Sequence, residues 1–325
     1  MREAVWRVTA NGQDVASALN PRLLSLDVRD EAGVESDTCT IILSDLSAEF
    51  ALPAKGTVLE VALGWAPVPV EMGRFVIDEL SISGPPDTIR ITASAANFLA
   101  SLKQRKSRDW HETSLSELVE TIAGEHGLTP AIAAEYSGFT IDHLDQVEES
   151  DLHLLTRLAE QHGAIAKPVE KMLTFVPRGT GDDASGVALA SASIQESELT
   201  RWELTTPGRA VYSSVSARWR DAEASLTNTV VVLSEEGDGP EKRLGRIFHS
   251  EADAKAAAEA ELKAVKLNEA RLRITLSGRP EIFAQAPIIL DHRRPDLAGA
   301  WVVASVSHRM NSSGFFTDIE ATRKP

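Results

Sequence analysis

The sequence predicts an α+β chain, mainly β, in which two similar antiparallel β-barrel or sandwich domains flank a small helical α/β module. Three observations lead there. Apolar and polar residues alternate between Gly- and Pro-marked turns over residues 1–108. Two short, well-capped helices occupy the middle of the chain, residues 109–186. The alternation then returns over residues 187–325, with its features in the same order as before.

In the first stretch Leu24, Leu26 and Val28 alternate with Ser25, Asp27 and Arg29, which sends each set to one face of a strand. Asp30-Glu31-Ala32-Gly33 reads as a turn, and Cys39, Ile41 and Leu43 line one face of the next strand. Pro53 and Gly56 precede Leu59, Val61 and Leu63. Gly73 opens the strand Phe75-Val76-Ile77-Asp78-Glu79-Leu80-Ser81-Ile82, and Gly84-Pro85-Pro86-Asp87 turns it back into Ile89, Ile91 and Ala93. Several short strands separated by turns make a sandwich or barrel.

The middle stretch opens with a capping box, Ser114-Leu115-Ser116-Glu117, ahead of an apolar stripe at Leu115, Leu118, Val119, Ile122 and Ala123. This helix stops at Glu125-His126-Gly127. For the second helix Ser150 suits the N-cap, and Glu148, Glu149 and Asp151 place negative charge at the positive end of the helix dipole. Leu152, Leu155, Leu158 and Ala159 form its stripe, and Gly163 after His162 suits a left-handed C-terminal turn. Ala166 to Val176 reads as a hairpin through Glu170-Lys171, and Arg178 to Gly186 as a loop. In the last stretch Val211, Ser213 and Val215 alternate, followed by the run Val230-Val231-Val232-Leu233. Ser250-Glu251-Ala252-Asp253 caps an alanine-rich helix, inserted at residues 250–267, before the β pattern resumes at Arg271.

The two β stretches share an order of features. Pro53 to Leu63 has its counterpart in Pro280 to Leu290, and Gly73-Arg74-Phe75-Val76-Ile77 in Gly299-Ala300-Trp301-Val302-Val303. A turn at Gly84 or Gly314 then leads into Ile89-Arg90-Ile91-Thr92-Ala93 or Thr317-Asp318-Ile319-Glu320-Ala321. A duplicated domain in a trimer gives six similar copies in a ring.

With 325 residues the chain has room for two or three cored domains. No apolar run approaches the ~20 residues that span a bilayer, and the amino terminus lacks the apolar centre of a secretion signal. The expectation is cytoplasmic folding without membrane insertion. The single cysteine, Cys39, sits in a strand pattern as a small core residue and can form no intrachain disulfide. A net charge of -15 argues against sequence-specific nucleic acid binding, which needs cations for phosphate.

Candidate chemistry concentrates in the middle stretch. It holds five of the eight histidines, His111, His126, His143, His153 and His162, but no pair has the short spacing of a metal motif. His126 and His162 stand at helix C-termini, where a cationic ring favours the dipole. Glu148, Glu149 and Asp151 are adjacent carboxylates, whereas a glycosidase needs two facing across a sugar. Lys103, Arg105, Lys106 and Arg108, with Trp110 nearby, form a basic run that reads as a solvated segment or a contact to an acidic neighbour chain in preference to a nucleic-acid contact. The reading is therefore of no catalytic residue, no cofactor and no metal.

Several motifs resemble the late control D family of contractile phage tails, the baseplate hub proteins. They are Glu35-Ser36-Asp37, Leu52-Pro53 with Gly56, Gly73 with Phe75, Gly84-Pro85-Pro86 and Ser107-Arg108-Asp109-Trp110. The strongest is Gln146-Val147-Glu148-Glu149-Ser150-Asp151 running into Leu154-Leu155-Thr156-Arg157-Leu158-Ala159. Family members often carry asparagine or arginine where Glu148 stands and an aromatic where Leu154 stands. The likeness covers about residues 5 to 180 and is looser beyond, where the Ser250 helix and the Gly299 to Ala321 hairpin still fit. The amino-terminal part of type VI secretion spike proteins is similar.

The resemblance implies two tail-tube-like β domains per chain and a homotrimer that forms a pseudo-six-fold adaptor. It would join the hexameric tail tube, or a tube-initiator protein, to a trimeric tail spike protein, with the tape-measure protein or DNA passing through. The expected location is the virion tail baseplate, or a tail-like particle, assembled in the host bacterial cytoplasm. The chain stops at Pro325 with no long β-helix, so the spike is expected to be a separate chain. An alternative of a different class is a tail-tip peptidoglycan hydrolase that uses carboxylates such as Glu149.

Overall fold

The computed structural model describes residues 2–33, 36–46, 50–95, 100–169, 171–206, 212–221, 226–234, 239–267 and 270–324. Glu35, Glu170, Val211 and Pro325, which figure in the sequence readings, lie outside the described residues.

In chain order the elements begin with β1 (Ala4–Ala10), β2 (Gln13–Asp14), α1 (Ala16–Leu19), β3 (Leu23–Glu31), β4 (Thr38–Ser44), β5 (Val58–Trp65), β6 (Val70–Ser83) and β7 (Thr88–Ala95). There follow β8 (Arg105–Ser114), α2 (Leu115–Glu125), β9 (Thr129–Ile132), β10 (Thr140–Ser150), α3 (Asp151–Gln161), β11 (Ala164–Val169) and β12 (Met172–Pro177). The remainder is β13 (Ala192–Gln195), β14 (Leu199–Thr205), β15 (Ser214–Asp221), β16 (Leu226–Leu233), β17 (Glu241–Phe248), α4 (Glu251–Leu267), β18 (Arg271–Ser277), β19 (Pro287–Asp291), β20 (Gly299–Asn311) and β21 (Gly314–Arg323).

Contacts group the chain into two compact units. One comprises Met1–Phe98, Ala192–Glu203 and Leu272–Ala321; the other comprises Leu99–Ser191, Leu204–Arg271 and Thr322–Pro325. Residues 187–325, read as one β domain, are thus divided between the units. The reason is local: β16, β15 and β17 form their own sheet, and α4 lays alanines on it with Val215, Ala217 and Phe248 as the core.

The first unit is one 13-stranded sheet, running β14-β18-β21-β20-β3-β4-β7-β6-β5-β1-β2, with β19 on β20 and β13 on β19. It holds the same strand order twice. The first stretch gives β3-β4-β7-β6-β5 and the last gives β14-β18-β21-β20-β19. The alternation explains which side of the sheet is dry. Leu26, Val28, Cys39, Ile41, Leu43, Phe75, Ile77, Ile89 and Ile91 share one core, and Leu272, Ile274, Leu276, Trp301, Val303 and Ile319 are buried in the other half. Asp30 and Glu31, read as a turn, continue β3, because Asp30 and Glu31 pair with Val306 and Ser305.

In the second unit all three predicted caps form, that of α4 through Ser250 Oγ, which accepts from Asp253 N–H. Ser114 Oγ accepts from Glu117 N–H while the Glu117 carboxylate accepts from Ser114 N–H, and Ser150 Oγ accepts from His153 N–H. Leu115, Leu118, Val119, Ile122, Leu154, Leu155 and Leu158 pack with Leu173 and Phe175 of the β11–β12 hairpin. Leu152 of the predicted stripe is only partly buried, and Leu154 takes the buried position. The sequence reading contained no β8–β10 sheet, yet its pairing runs from Arg105↔Ser150 to Ser114↔Thr140 with a bulge between Gln146 and Glu149.

Candidate functional site: two open strand edges and a buried charge cluster

The long strands β6 and β20 occupy equivalent places in the repeated order. Each lies along its hairpin partner, β7 or β21. On the opposite edge β20 pairs with β19 through Gly299–Val302 and then with β3 through Ser305–Asn311. On the corresponding edge β6 pairs with β5 through Val70–Val76, and Ile77 exchanges hydrogen bonds with Gly56 and Thr57. Beyond Ile77, Asp78 to Ser83 have no strand on that edge among the described residues. The counterpart of β3 is β14, which has β18 on one side and no strand on the other among the described residues. Both open edges carry an uncovered large apolar side chain, Ile82 on β6 and Trp202 on β14. The Trp202 ring stands edge-on to His292 at 5.5 Å. Unpaired edges of this kind are templates for another strand.

The opposite face of this sheet is polar and evenly charged. Arg273 meets Glu320 at 3.0 Å, Arg309 meets Asp318 at 3.1 Å, and Ser307 Oγ donates to Asp27 at 2.8 Å. Arg201, Glu203 and Thr275 line the same shallow cavity. Burial raises the Asp27 carboxyl above its ordinary value, opposed by the Ser307 hydrogen bond and the Arg309 charge.

In the second unit Asp151, the first residue of α3, is fully buried. Its Oδ2 receives Lys106 Nζ at 2.6 Å and His126 Nε2 at 2.8 Å; its Oδ1 receives Arg108 and Gln146, each at 2.8 Å. Glu125, at the end of α2, takes the same two cations, Lys106 at 2.9 Å and Arg108 at 2.5 Å. Burial pushes the Asp151 carboxyl up, but the Gln146, Lys106 and His126 hydrogen bonds and the Arg108 charge outweigh it, so its pKa lies below the ordinary value. Glu125, His126 and Asp151 bring three donor atoms within 4.8 Å of one another. Lys106 and Arg108 meet both carboxylates, so the cluster ties β8, α2 and α3 together. The basic run is therefore half internal, because Lys106 and Arg108 serve this cluster and Arg108 stacks on Trp110 at 4.3 Å. Lys103 and Arg105 are exposed.

The remaining candidates are also accounted for. Arg157 clamps Glu149 with bonds of 3.0 and 2.7 Å, and His153 Nδ1 lies 2.9 Å from it. Burial raises the Glu149 pKa, yet Arg157 and His153 bring it below the ordinary value. A glycosidase general acid needs the reverse shift. Glu148 accepts from Ser107 Oγ at 3.2 Å. The His126 ring bonds Ser101 and Asp151, and the half-buried His162 ring packs on Phe139 at 4.5 Å, where burial lowers its pKa. Cys39 is buried and its thiol is pushed far up by burial, as suits a core residue. His111 and His143 stand directly opposite each other on β8 and β10.

No helix among the described residues is long and apolar enough to cross a membrane. The first unit is thus a duplicated antiparallel sheet with two open edges, and the second unit is held by a buried cluster of ion pairs. A tail protein of prophage MuSo2 from Shewanella oneidensis shares this fold, with a TM-score of 0.73 at 15% identity over 99% of each chain. The chain belongs to the phage tail baseplate hub (GPD) family, whose pattern matches residues 78–314. It is 30% identical over 356 residues to the "Probable baseplate hub protein" of Escherichia phage 186, covering 97% of this chain and 92% of that protein. An E. coli component of the type VI secretion system has a similar fold, with a TM-score of 0.56 at 11% identity over 99% of this chain and 77% of that one.

Proposed function

We propose that three copies of this baseplate hub chain close into a ring that joins a hexameric tail tube to a trimeric spike. The observation that carries the reading is the junction of β20 with β3, which links the two repeats of one chain edge to edge. The same junction drawn one repeat further places β14 of one copy on the open edge of β6 in the next. Three chains then supply six equivalent blocks, joined alternately within and between copies. Six blocks match a six-fold tube, while the three-fold repeat of whole chains matches the spike. In this reading a tail tube or tube-initiator protein sits on one face, the spike on the other, and the tape-measure protein passes through. The evenly charged sheet face suits a wall that passing polymers do not stick to. Assembly would take place in the host bacterial cytoplasm, before the ring joins the baseplate.

The test is co-purification with the cognate spike from the same tail gene cluster, followed by light scattering. Three hub chains per spike trimer are expected. Recovery of the spike without this chain would overturn the adaptor role.

A further inference from the structure

We propose that the exposed face of the β8–β10 sheet holds a site for a divalent transition-metal ion of the zinc or nickel type, with His111 and His143 as ligands. The two residues are distant in sequence, but the strand register sets them directly opposite. Their Nδ1 atoms lie 3.1 Å apart. A metal at about 2.0–2.1 Å from each nitrogen would see them at roughly 100°, within the range of tetrahedral and octahedral sites.

The tautomer suits a ligand. His143 Nε2 lies 2.9 Å from the Asp145 carboxylate, which accepts the Nε2 proton; the Nδ1 lone pair then accepts a hydrogen bond from His111 Nδ1, and a metal ion would take the place of that shared proton. The carboxylate behind the ring is the common outer partner of metal-bound histidine. A second observation calls for a cation. Asp109 and Asp145 are also directly paired across the strands, one step along the same face from the histidines. Like charges placed opposite each other destabilise a sheet unless something positive lies between or beside them. Asp109 and His143 are exposed, so water or a neighbouring group can complete the coordination. The contrast with Glu125, His126 and Asp151 is chemical: there Lys106 and Arg108 meet the carboxylates, whereas this face sets two imidazole nitrogens side by side.

The test uses the full chain, free of any histidine tag, titrated with zinc chloride and with nickel chloride by calorimetry at neutral pH. One ion per chain is expected. His111→Gln and His143→Gln should each weaken binding at least tenfold, and Asp145→Asn by roughly 10–100-fold, the usual effect of losing an outer partner. His153→Gln, which alters a histidine on α3 that pairs with Glu149, should leave binding unchanged. Circular dichroism checks that each variant keeps its fold. Wild-type affinity in the His111→Gln/His143→Gln double variant would overturn the site, as would the absence of any binding to the unaltered chain.

Discussion

Asp151 is fully buried and still charged, because four donors converge on its two oxygens. Asp151→Asn keeps the shape and leaves Lys106 and Arg108 short of a counter-charge. Breaking a fully buried pair costs about 3–5 kcal/mol; both cations are partly exposed here, so the expected loss is about 2–3 kcal/mol at neutral pH. The pH dependence has a definite sign. The folded pKa lies below the unfolded carboxylate value of about 3.9. The stabilisation is therefore complete above that value and fades as pH falls through the lower folded one. Urea midpoints of the chain and the variant should differ at pH 7 and converge in strong acid; an equal gap at both would contradict the charge argument. Gly278 tests packing instead. A Cβ there would lie 2.0 Å from the buried Phe315 ring, so Gly278→Ala should lose about 1–3 kcal/mol and lower the melting temperature.

Among the elements, those whose inner face is apolar were legible in the sequence, and those whose inner face carries polar and charged residues were not. α2 announced itself through Ser114, Glu117 and the stripe to Ala123, and the structure places that stripe in the core. Ser114→Ala should cost about 1 kcal/mol, since it removes the acceptor for Glu117 N–H. Gly124→Ala in the same helix should gain up to about 1 kcal/mol, because its Cβ would meet nothing within 4 Å. Thermal melts of the two variants should thus move in opposite directions. The strands β8 and β10 escaped because charged and polar residues occupy both their faces, with Arg108, Asp109 and Trp110 in succession. Their order comes from partners distant in sequence, such as Gln146 and Asp151, which no local period records. The same blindness hid the charge cluster. Adjacent carboxylates at a helix start explained themselves as capping, and only the fold brings Lys106 and Arg108 to Asp151.

For the molecule as a whole, the repeated strand order makes an assembly argument that no single residue could. One chain contains the β20–β3 junction and also the two unmatched halves of a second one, on β6 and β14. A copy that kept both edges open would expose Ile82 and Trp202 to any passing strand, a liability that proteins usually blunt with charge. Their retention as apolar side chains suits edges that are covered in the working assembly. Ile82→Lys alone and Trp202→Lys alone should each abolish ring formation while the single chain keeps its circular dichroism spectrum, since both side chains are exposed in the isolated chain. Ile82→Lys combined with Trp202→Glu places opposite charges on the two edges and should recover assembly in part, more in low salt than in high. Light scattering of the chain with its spike reads all three. A wild-type hub stoichiometry in both lysine variants would mean that the repeats meet through some other surface, and the ring would then have to be built without the edge junction.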